Sequence, residues 1–267
     1  GNSITTGSNN TVIGYDADAS SATVSNEITI GNTTAGTLRI PPIQVGASSG
    51  DVLTFDGSKL ALAAPAGGGG LQSIQVFTSS GTWTKPAGVS KIKVTVVGGG
   101  GGGGDGTQSY RTGSSGAAGG ATIKFLDVSA ISSVAVTIGA GGGAGNPAQN
   151  GGTSTFSTTP SVFATGGEGG SNSSSATLGG EGFLGDINFK GGEGCGSDRD
   201  NSNYLGSNSG GNSIFGGAGG GAGGYQTGSR TGGNAGANTG SGGGGGSPNG
   251  GSGGNGAAGI IIVEEYA

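Results

Sequence analysis

Lys91-Ile92-Lys93-Val94-Thr95-Val96-Val97, followed at once by a run of glycine at 98–104, is the stretch whose reading decides the fold. Its first half alternates. Ile92, Val94 and Val96 point one way, and Lys91, Lys93 and Thr95 the other, as a half-buried strand requires. Its second half offers no side chain to bury and loses more backbone entropy on ordering than any other sequence. Similar runs return at 139–145, 166–170, 216–224, 242–246 and 250–259. Two readings compete for them. With 71 glycines in 267 residues, the composition approaches that of low-complexity, disordered chains. Glycine also permits extended left-handed helices of the polyproline II type, with three residues per turn and every N–H and C=O pointing outward. Such helices can lie side by side and bond laterally, and a run the length of 98–104 would span about 20 Å. Collagen is excluded, because the strict Gly-X-Y period is missing and there are seven prolines. The strands that flank the runs favour ordered packing.

Composition narrows function by subtraction. There is no histidine, which removes imidazole bases, Ser-His and Cys-His pairs and imidazole metal ligands. The single Cys195 can form no internal disulfide. The formal charge is −5, against the basic stripe that nucleic acid wants. No apolar stretch reaches the ~18 residues of a membrane span, so neither nucleic acid nor membrane insertion is expected. The chain has no Met and begins at Gly1, and it is expected to be a piece of a longer protein.

Three regions follow in order: 1–36, 37–70 and 71–267. In the first, Asn10-Thr11-Val12-Ile13-Gly14 echoes Asn26-Glu27-Ile28-Thr29-Ile30-Gly31 at a spacing of seventeen, and Gly1-Asn2 echoes Gly31-Asn32. One such turn cannot bury its apolar residue, whereas stacked turns or neighbouring chains can. In the second, Val52-Leu53-Thr54-Phe55 and Lys59-Leu60-Ala61-Leu62 flank Asp56-Gly57-Ser58, a strong hairpin signal, with a flexible linker after it. In the third, strands are expected at 73–78, 91–97, 121–128 with Ile123 and Phe125 inward, 134–138, 153–156, 162–165 and 260–263. The last is apolar on both faces and therefore central. Residues 81–89 read as a turn-rich link. No window shows helical spacing, and glycine interrupts all of them. The fold class is thus all-β and irregular, essentially without α-helix. A small β-sheet region carries a packed bundle of polyglycine II helices. The segments crossing between runs are read at 105–119, 171–178, 185–190, 195–214 and 225–239.

Gly81-Thr82-Trp83-Thr84-Lys85-Pro86-Ala87-Gly88-Val89, the strand at 91–97 and its glycine run resemble the glycine-rich domain of bacteriophage tail-fibre proteins. Gly151-Gly152-Thr153-Ser154-Thr155-Phe156, Ala164-Thr165-Gly166-Gly167 and Gly259-Ile260-Ile261-Ile262-Val263-Glu264-Glu265-Tyr266 look like the same family, so the likeness covers roughly 73–267. The repeated runs with polar spacers also resemble the distal adhesins of T-even-like phage long tail fibres, in which polyglycine II helices pack as a sandwich and variable loops at the tip contact the host receptor. The repeat in 1–36 resembles the β-roll in the heads of trimeric autotransporter adhesins, which also occurs in phage fibre shafts. These resemblances imply a homotrimeric fibre whose distal tip, on the virion, recognises a bacterial outer-membrane protein or surface glycan. The chain departs from the adhesins in carrying its own β-roll and hairpin, which leaves the tip's stoichiometry open. Two alternatives stand beside this: a structural fibre segment with recognition elsewhere, and a bacterial surface adhesin.

Chemistry offers little competition. Gly-x-Gly-x-x-Gly matches arise from composition, without a following Lys-Ser or Lys-Thr or a helix to hold a phosphate. Asp198-Arg199-Asp200-Asn201-Ser202-Asn203 starts like a calcium loop, but the sixth position is Asn203 rather than Gly and the twelfth is Ser209 rather than Glu. Glu181, Asp186, Glu193, Asp198 and Asp200 are acids that nothing in the sequence pairs for sugar hydrolysis. Cys195 reads as a small inert residue beside a glycine run. No enzyme, cofactor or metal is expected. The candidates for receptor contact are Tyr110, Arg111, Arg199, Tyr204, Tyr225 and Arg230, because Tyr and Arg concentrate interface energy and long loops on a rigid scaffold commonly carry function. Phe183, Phe189 and Phe215 are read with equal weight as such contacts or as plugs over the ends of the glycine runs.

Overall fold

The computed structural model describes residues 4–31, 52–55, 60–63, 70–107, 111–172, 174–197, 208–222 and 228–267. The chain divides into two compact units, Gly1–Gly68 and Gly69–Ala267. No α-helix occurs among the described residues.

In the first unit, β1 (Thr11–Ile13) lies parallel to β2 (Ile28–Ile30), with Thr11 opposite Ile28. The echo in the sequence is therefore a stacking distance. Asn9 Nδ2 donates to Asn26 Oδ1 at 3.2 Å, and Glu27 N donates to Asn10 Oδ1 at 2.9 Å, each pair 17 residues apart. Asn9 and Asn26 both adopt left-handed backbone, with φ of 59° and 61°, a region in which Asn is enriched among non-glycine residues. The residues of the Gly1-Asn2 echo lie outside the described residues. β3 (Val52–Phe55) and β4 (Leu60–Ala63) pair antiparallel, Phe55 opposite Leu60. The Asp-Gly turn between them lies outside the described residues.

The second unit is rooted in two five-stranded antiparallel sheets. Its strands are β5 (Leu71–Phe77), β6 (Gly81–Thr84), β7 (Lys91–Val97), β8 (Ala121–Asp127), β9 (Ser133–Thr137), β10 (Ser154–Phe156), β11 (Val162–Ala164), β12 (Gly182–Phe183), β13 (Ile187–Phe189) and β14 (Ile260–Tyr266). One sheet runs β13-β8-β7-β14-β5, the other β12-β11-β10-β9-β6. β14 is paired on both edges, by β7 and β5, as its two-sided apolar sequence requires. The core holds Trp83, Ile92, Val94, Val96, Val134, Val136, Phe156, Val162, Ile261 and Val263. Trp83 and Phe156 meet at a centroid distance of 6.0 Å, inclined at 56°. Glu265 is buried among them, accepting hydrogen bonds from Trp83 Nε1 and Gln75 Nε2, each at 2.7 Å, and from the Ser73 hydroxyl.

Three expectations are corrected here. The turn-rich link begins as strand β6, paired to β9 with Trp83 opposite Val134. The segment at 185–190 is not a spacer, because it contains β13, on the edge of the first sheet. In β8, Ile123 and Phe125 face outward. Register sets this: Ile92 stands opposite Leu126 and Val96 opposite Thr122. Those β8 residues therefore share the inner face, and Phe125 is left 58% exposed.

The glycine-rich runs extend the strands. Residues 98–106 leave β7 and 112–120 return to β8; 139–145 leave β9 and 149–153 return to β10; 165–172 leave β11 and 177–182 reach β12. From β13 the chain rises and falls three times, through 190–197, 208–212, 217–222, 230–236 and 240–247, before 251–259 lead into β14. Along 98–106, successive N–H groups donate in rotation to different neighbours. Gly98, Gly101 and Gly104 bond to Gly120, Ala117 and Ser114; Gly99 and Gly102 to Gly152 and Gln149; Gly100, Gly103 and Gly106 to Ala257, Gly254 and Gly251. Its carbonyls accept from three further helices, at Gly142 and Gly145, Gly167 and Gly170, and Gly243 and Gly246. A rotation of three per turn is the signature of polyglycine II. Segments 112–120 and 240–247 are surrounded in the same way. The second of these central helices, Thr112-Gly113-Ser114-Ser115-Gly116-Ala117-Ala118-Gly119-Gly120, corrects the expectation of a crossing segment at 105–119. Its Ser114 and Ser115 side chains are fully buried and bond to the backbones of Ser171 and Cys195. Small residues suffice on the side where its neighbours leave room.

On the first sheet, Asp186 ties the β12–β13 connection to β8. It accepts from Lys124 Nζ at 2.6 Å and from Phe125 N at 2.8 Å. The Lys124 ammonium, and then the Phe125 amide, hold its carboxyl below the usual value. A depressed folded-state pKa means that this tie is present above the unfolded value and is lost as pH falls through the folded one. Acidifying from pH 6 to below ~4 is therefore expected to move the Phe125 amide resonance in a heteronuclear NMR titration, while core amides such as Val94 stay still. A Phe125 shift that is the same in Asp186→Ala as in the parent at pH 6 would show that the tie does not form.

Candidate functional site: the loop end of the glycine bundle

All helices of the bundle leave the sheets at one end, so their far turns gather at the other. The fully described connections there are 145–148 and 247–251, and Thr107, Arg111, Asn172, Ser197, Asn208, Ala222 and Gly228 stand at the same end. Their anchors are bonded to one another. Asp105 N donates to Gly145 O at 2.9 Å, Gly106 N to Gly251 O at 2.8 Å, Asn249 N to Thr107 O at 3.0 Å and Asn208 Nδ2 to Thr112 Oγ1 at 2.9 Å. The Asp105 carboxylate accepts from Gly253 N at 2.9 Å.

Of the sequence candidates, the structure describes two. Arg111 closes the first connection, its carbonyl accepting from Thr107 N at 3.2 Å. Its guanidinium donates to the Asn172 carbonyl of the third connection. Arg111 therefore ties two loops together, and only part of its side chain faces solvent. Arg230 is exposed and stands beside the last connection, its N donating to Ser247 Oγ at 2.7 Å and its carbonyl accepting from Ser247 N at 3.1 Å. Tyr110, Arg199, Tyr204 and Tyr225 lie outside the described residues, as does the calcium-like start at 198–203. The flanking anchors Arg111, Ser197, Asn208, Ala222 and Gly228 all lie at this end.

Two connections at this end escaped sequence reading. Asn146-Pro147 and Pro248-Asn249 each interrupt a glycine run, and such dipeptides are turn signals. Phe183, Phe189 and Phe215 lie at the opposite end. Phe183 is on β12, Phe189 on β13, and Phe215 in the turn where Gly216 N donates to Ser213 O at 3.0 Å. They do not share a surface with Arg111 and Arg230.

Glu181 and Glu193 stand on either side of Lys190, and Asp186 lies apart from them. Asp186 is held by Lys124, and Glu193 pairs with Lys190 at 2.8 Å. Among the described residues, no group of three or more His, Cys, Asp or Glu is placed to hold a metal ion, and no helix is long and apolar enough to cross a membrane. Cys195 is exposed within the 190–197 helix.

The family described as glycine-rich domain matches residues 75–266, and the chain belongs to that family. No curated protein matches the chain.

Proposed function

We propose that this chain is the receptor-binding tip of a phage tail fibre, a non-enzymatic adhesin at the distal end of the virion's fibre that grips a bacterial outer-membrane protein or surface glycan. The observation that carries this reading is the gathering, at one end of a bundle whose interior is almost free of side chains, of the connections 145–148 and 247–251 with Arg111, Asn172, Ser197, Asn208, Ala222 and Gly228. Such a bundle can hold loops of different length and chemistry, because its cohesion lies in backbone hydrogen bonds that the loops do not share. The other copies of the chain are its second partner, in a homotrimer. Ile13, Ile28 and Ile30 of the first unit stand exposed in a single chain. On the first sheet, Ile74 and Val76 at one edge and Ile187 at the other stand exposed, and exposed apolar residues grouped on a surface mark interaction sites. Three tips held together would convert weak single contacts into firm attachment.

The test is binding of the labelled chain to a panel of intact bacterial strains, beside a variant with 198–207 replaced by a short Gly-Ser link. The expected result is strain-selective binding by the parent that falls at least tenfold in the variant, with unchanged melting. If variants of each long connection in turn bind the same strains equally well, the reading is wrong.

A further inference from the structure

The flank of the bundle, between 165–172, 177–182 and the start of 190–197, is not smooth. A groove of about 280 Å³ opens there, lined by Thr165, Glu168, Leu178, Glu181, Phe183 and Lys190. The backbone fixes its shape. Thr165 N donates to Glu181 O at 2.9 Å, Glu181 N donates to Thr165 Oγ1 at 2.8 Å, and Glu181 bridges to Lys190 on its other side. Phe183 is held flat by Phe163, their ring centroids 4.9 Å apart and their planes 15° from parallel. It nevertheless remains 37% exposed, and Leu178 beside it 51%. A braced aromatic ring left partly in water forgoes apolar burial. At the rim, Glu168 Oε2 accepts from Leu178 N at 2.8 Å, which orients the carboxylate. Among the described residues, no hydrogen bond engages Glu168 Oε1 or the Glu181 carboxylate. Lys190 spends one of its three N–H donors on Glu193 Oε1 at 2.8 Å.

We infer that this groove binds one ring of a neutral glycan, stacked on Phe183 with its hydroxyls donating to Glu168 and Glu181 and accepting from Lys190. The chemistry selects the class. A pyranose has an apolar face of C–H bonds and an edge of hydroxyls that both donate and accept. The groove supplies a flat apolar platform, carboxylates that only accept and an ammonium that only donates. Its volume lies just under the range of drug-sized pockets, which suits a single ring of a longer chain. Glu168, Glu181 and the Glu193 that pairs with Lys190 outnumber the one ammonium and disfavour an acidic sugar, while a lysine chain has no flat face to lay on Phe183 and nothing to accept from Lys190. This site stands apart from the loop end and does not depend on the reading of the loops.

Saturation-transfer NMR on the full chain tests it, with maltotriose, chitotriose and a β-galactobiose as neutral probes, digalacturonate as the acidic one and trilysine as the basic one. At least one neutral probe is expected to receive saturation at millimolar concentration. Phe183→Leu keeps the apolar contact with Phe163 but loses the flat face, and should weaken binding about tenfold. Glu181→Gln, at an exposed position, should weaken it severalfold with unchanged melting. The variant with 198–207 replaced should bind the neutral probe as the parent does, which separates this site from the loop site. Absence of transfer to all three neutral probes, equal binding by Phe183→Leu, or preference for trilysine or digalacturonate would each overturn the assignment.

Discussion

Gly101→Ala is expected to unfold the glycine bundle, while Gly220→Ala leaves it intact. A Cβ at Gly101 would stand 2.0 Å from the carbonyl oxygen of Glu168. That oxygen is backbone of a helix that is itself bonded on its other sides, so it has no rotamer to change. Ordinary overpacking costs about 1–3 kcal/mol because side chains yield. Here the neighbouring helix must move. Its shift strains the bonds that Gly99 and Gly102 accept from Gly167 and Gly170, and a buried polar group left unpaired costs about 1–3 kcal/mol. With both bonds strained the sum is about 3–9 kcal/mol, large for one methyl group and comparable with the ~5–15 kcal/mol that stabilises a whole domain. At Gly220 a Cβ meets nothing within 4 Å, and its φ is not left-handed. There the same substitution should change stability by less than ~1 kcal/mol, with a gain expected from the stiffer unfolded chain. Thermal unfolding of the two variants by calorimetry decides. Similar melting for both would mean that the bundle tolerates lateral expansion and is not held by close backbone approach.

Trp83→Ala should be as damaging, for a different reason. Trp83 is fully buried against Phe156, and truncating such a ring costs about 3–5 kcal/mol. It also removes one donor from buried Glu265, whose oxygens are otherwise served by Gln75 and Ser73; leaving a buried acceptor short of a partner adds about 1–3 kcal/mol. Urea denaturation followed by circular dichroism should show the midpoint collapsing in Trp83→Ala. It should fall only partway in Trp83→Phe, which refills the cavity without restoring the N–H. In the parent and in Glu265→Gln, the single tryptophan reports by fluorescence. A Trp83→Phe variant as stable as the parent would show that the indole bond to Glu265 contributes nothing net.

These two residues also mark what sequence reading reached and what it missed. β7 and β14 announced themselves because alternation or unbroken apolarity is a local property of side chains, and the seventeen-residue echo of the first unit became a stacking register. Trp83 carries the family resemblance, yet its strand reads as a link, since Gly81-Thr82-Trp83-Thr84 is too short to show alternation. Phe125 was placed inward because strand alternation fixes two faces without saying which is buried; the pairing of Ile92 with Leu126 decides that. The glycine runs were legible as helices but mute as to order, for a residue without a side chain carries no register. The central helix at 112–120 was hidden by its serines and alanines. Of the candidate site, the structure describes Arg111 and Arg230, and it shows Arg111 bracing a neighbouring loop, a partner no sequence window contains.

The threefold rotation of hydrogen bonds has a mechanical consequence. A pull on the far turns along the bundle axis stretches no helix alone. Each helix must slide past its neighbours, so the load falls as shear on many lateral bonds at once, and they must fail together. A sideways pull on an outer helix such as 217–222 peels its bonds one after another. The bundle is thus stiff along the direction that runs from sheets to loops and comparatively weak across it, an anisotropy set by backbone geometry alone.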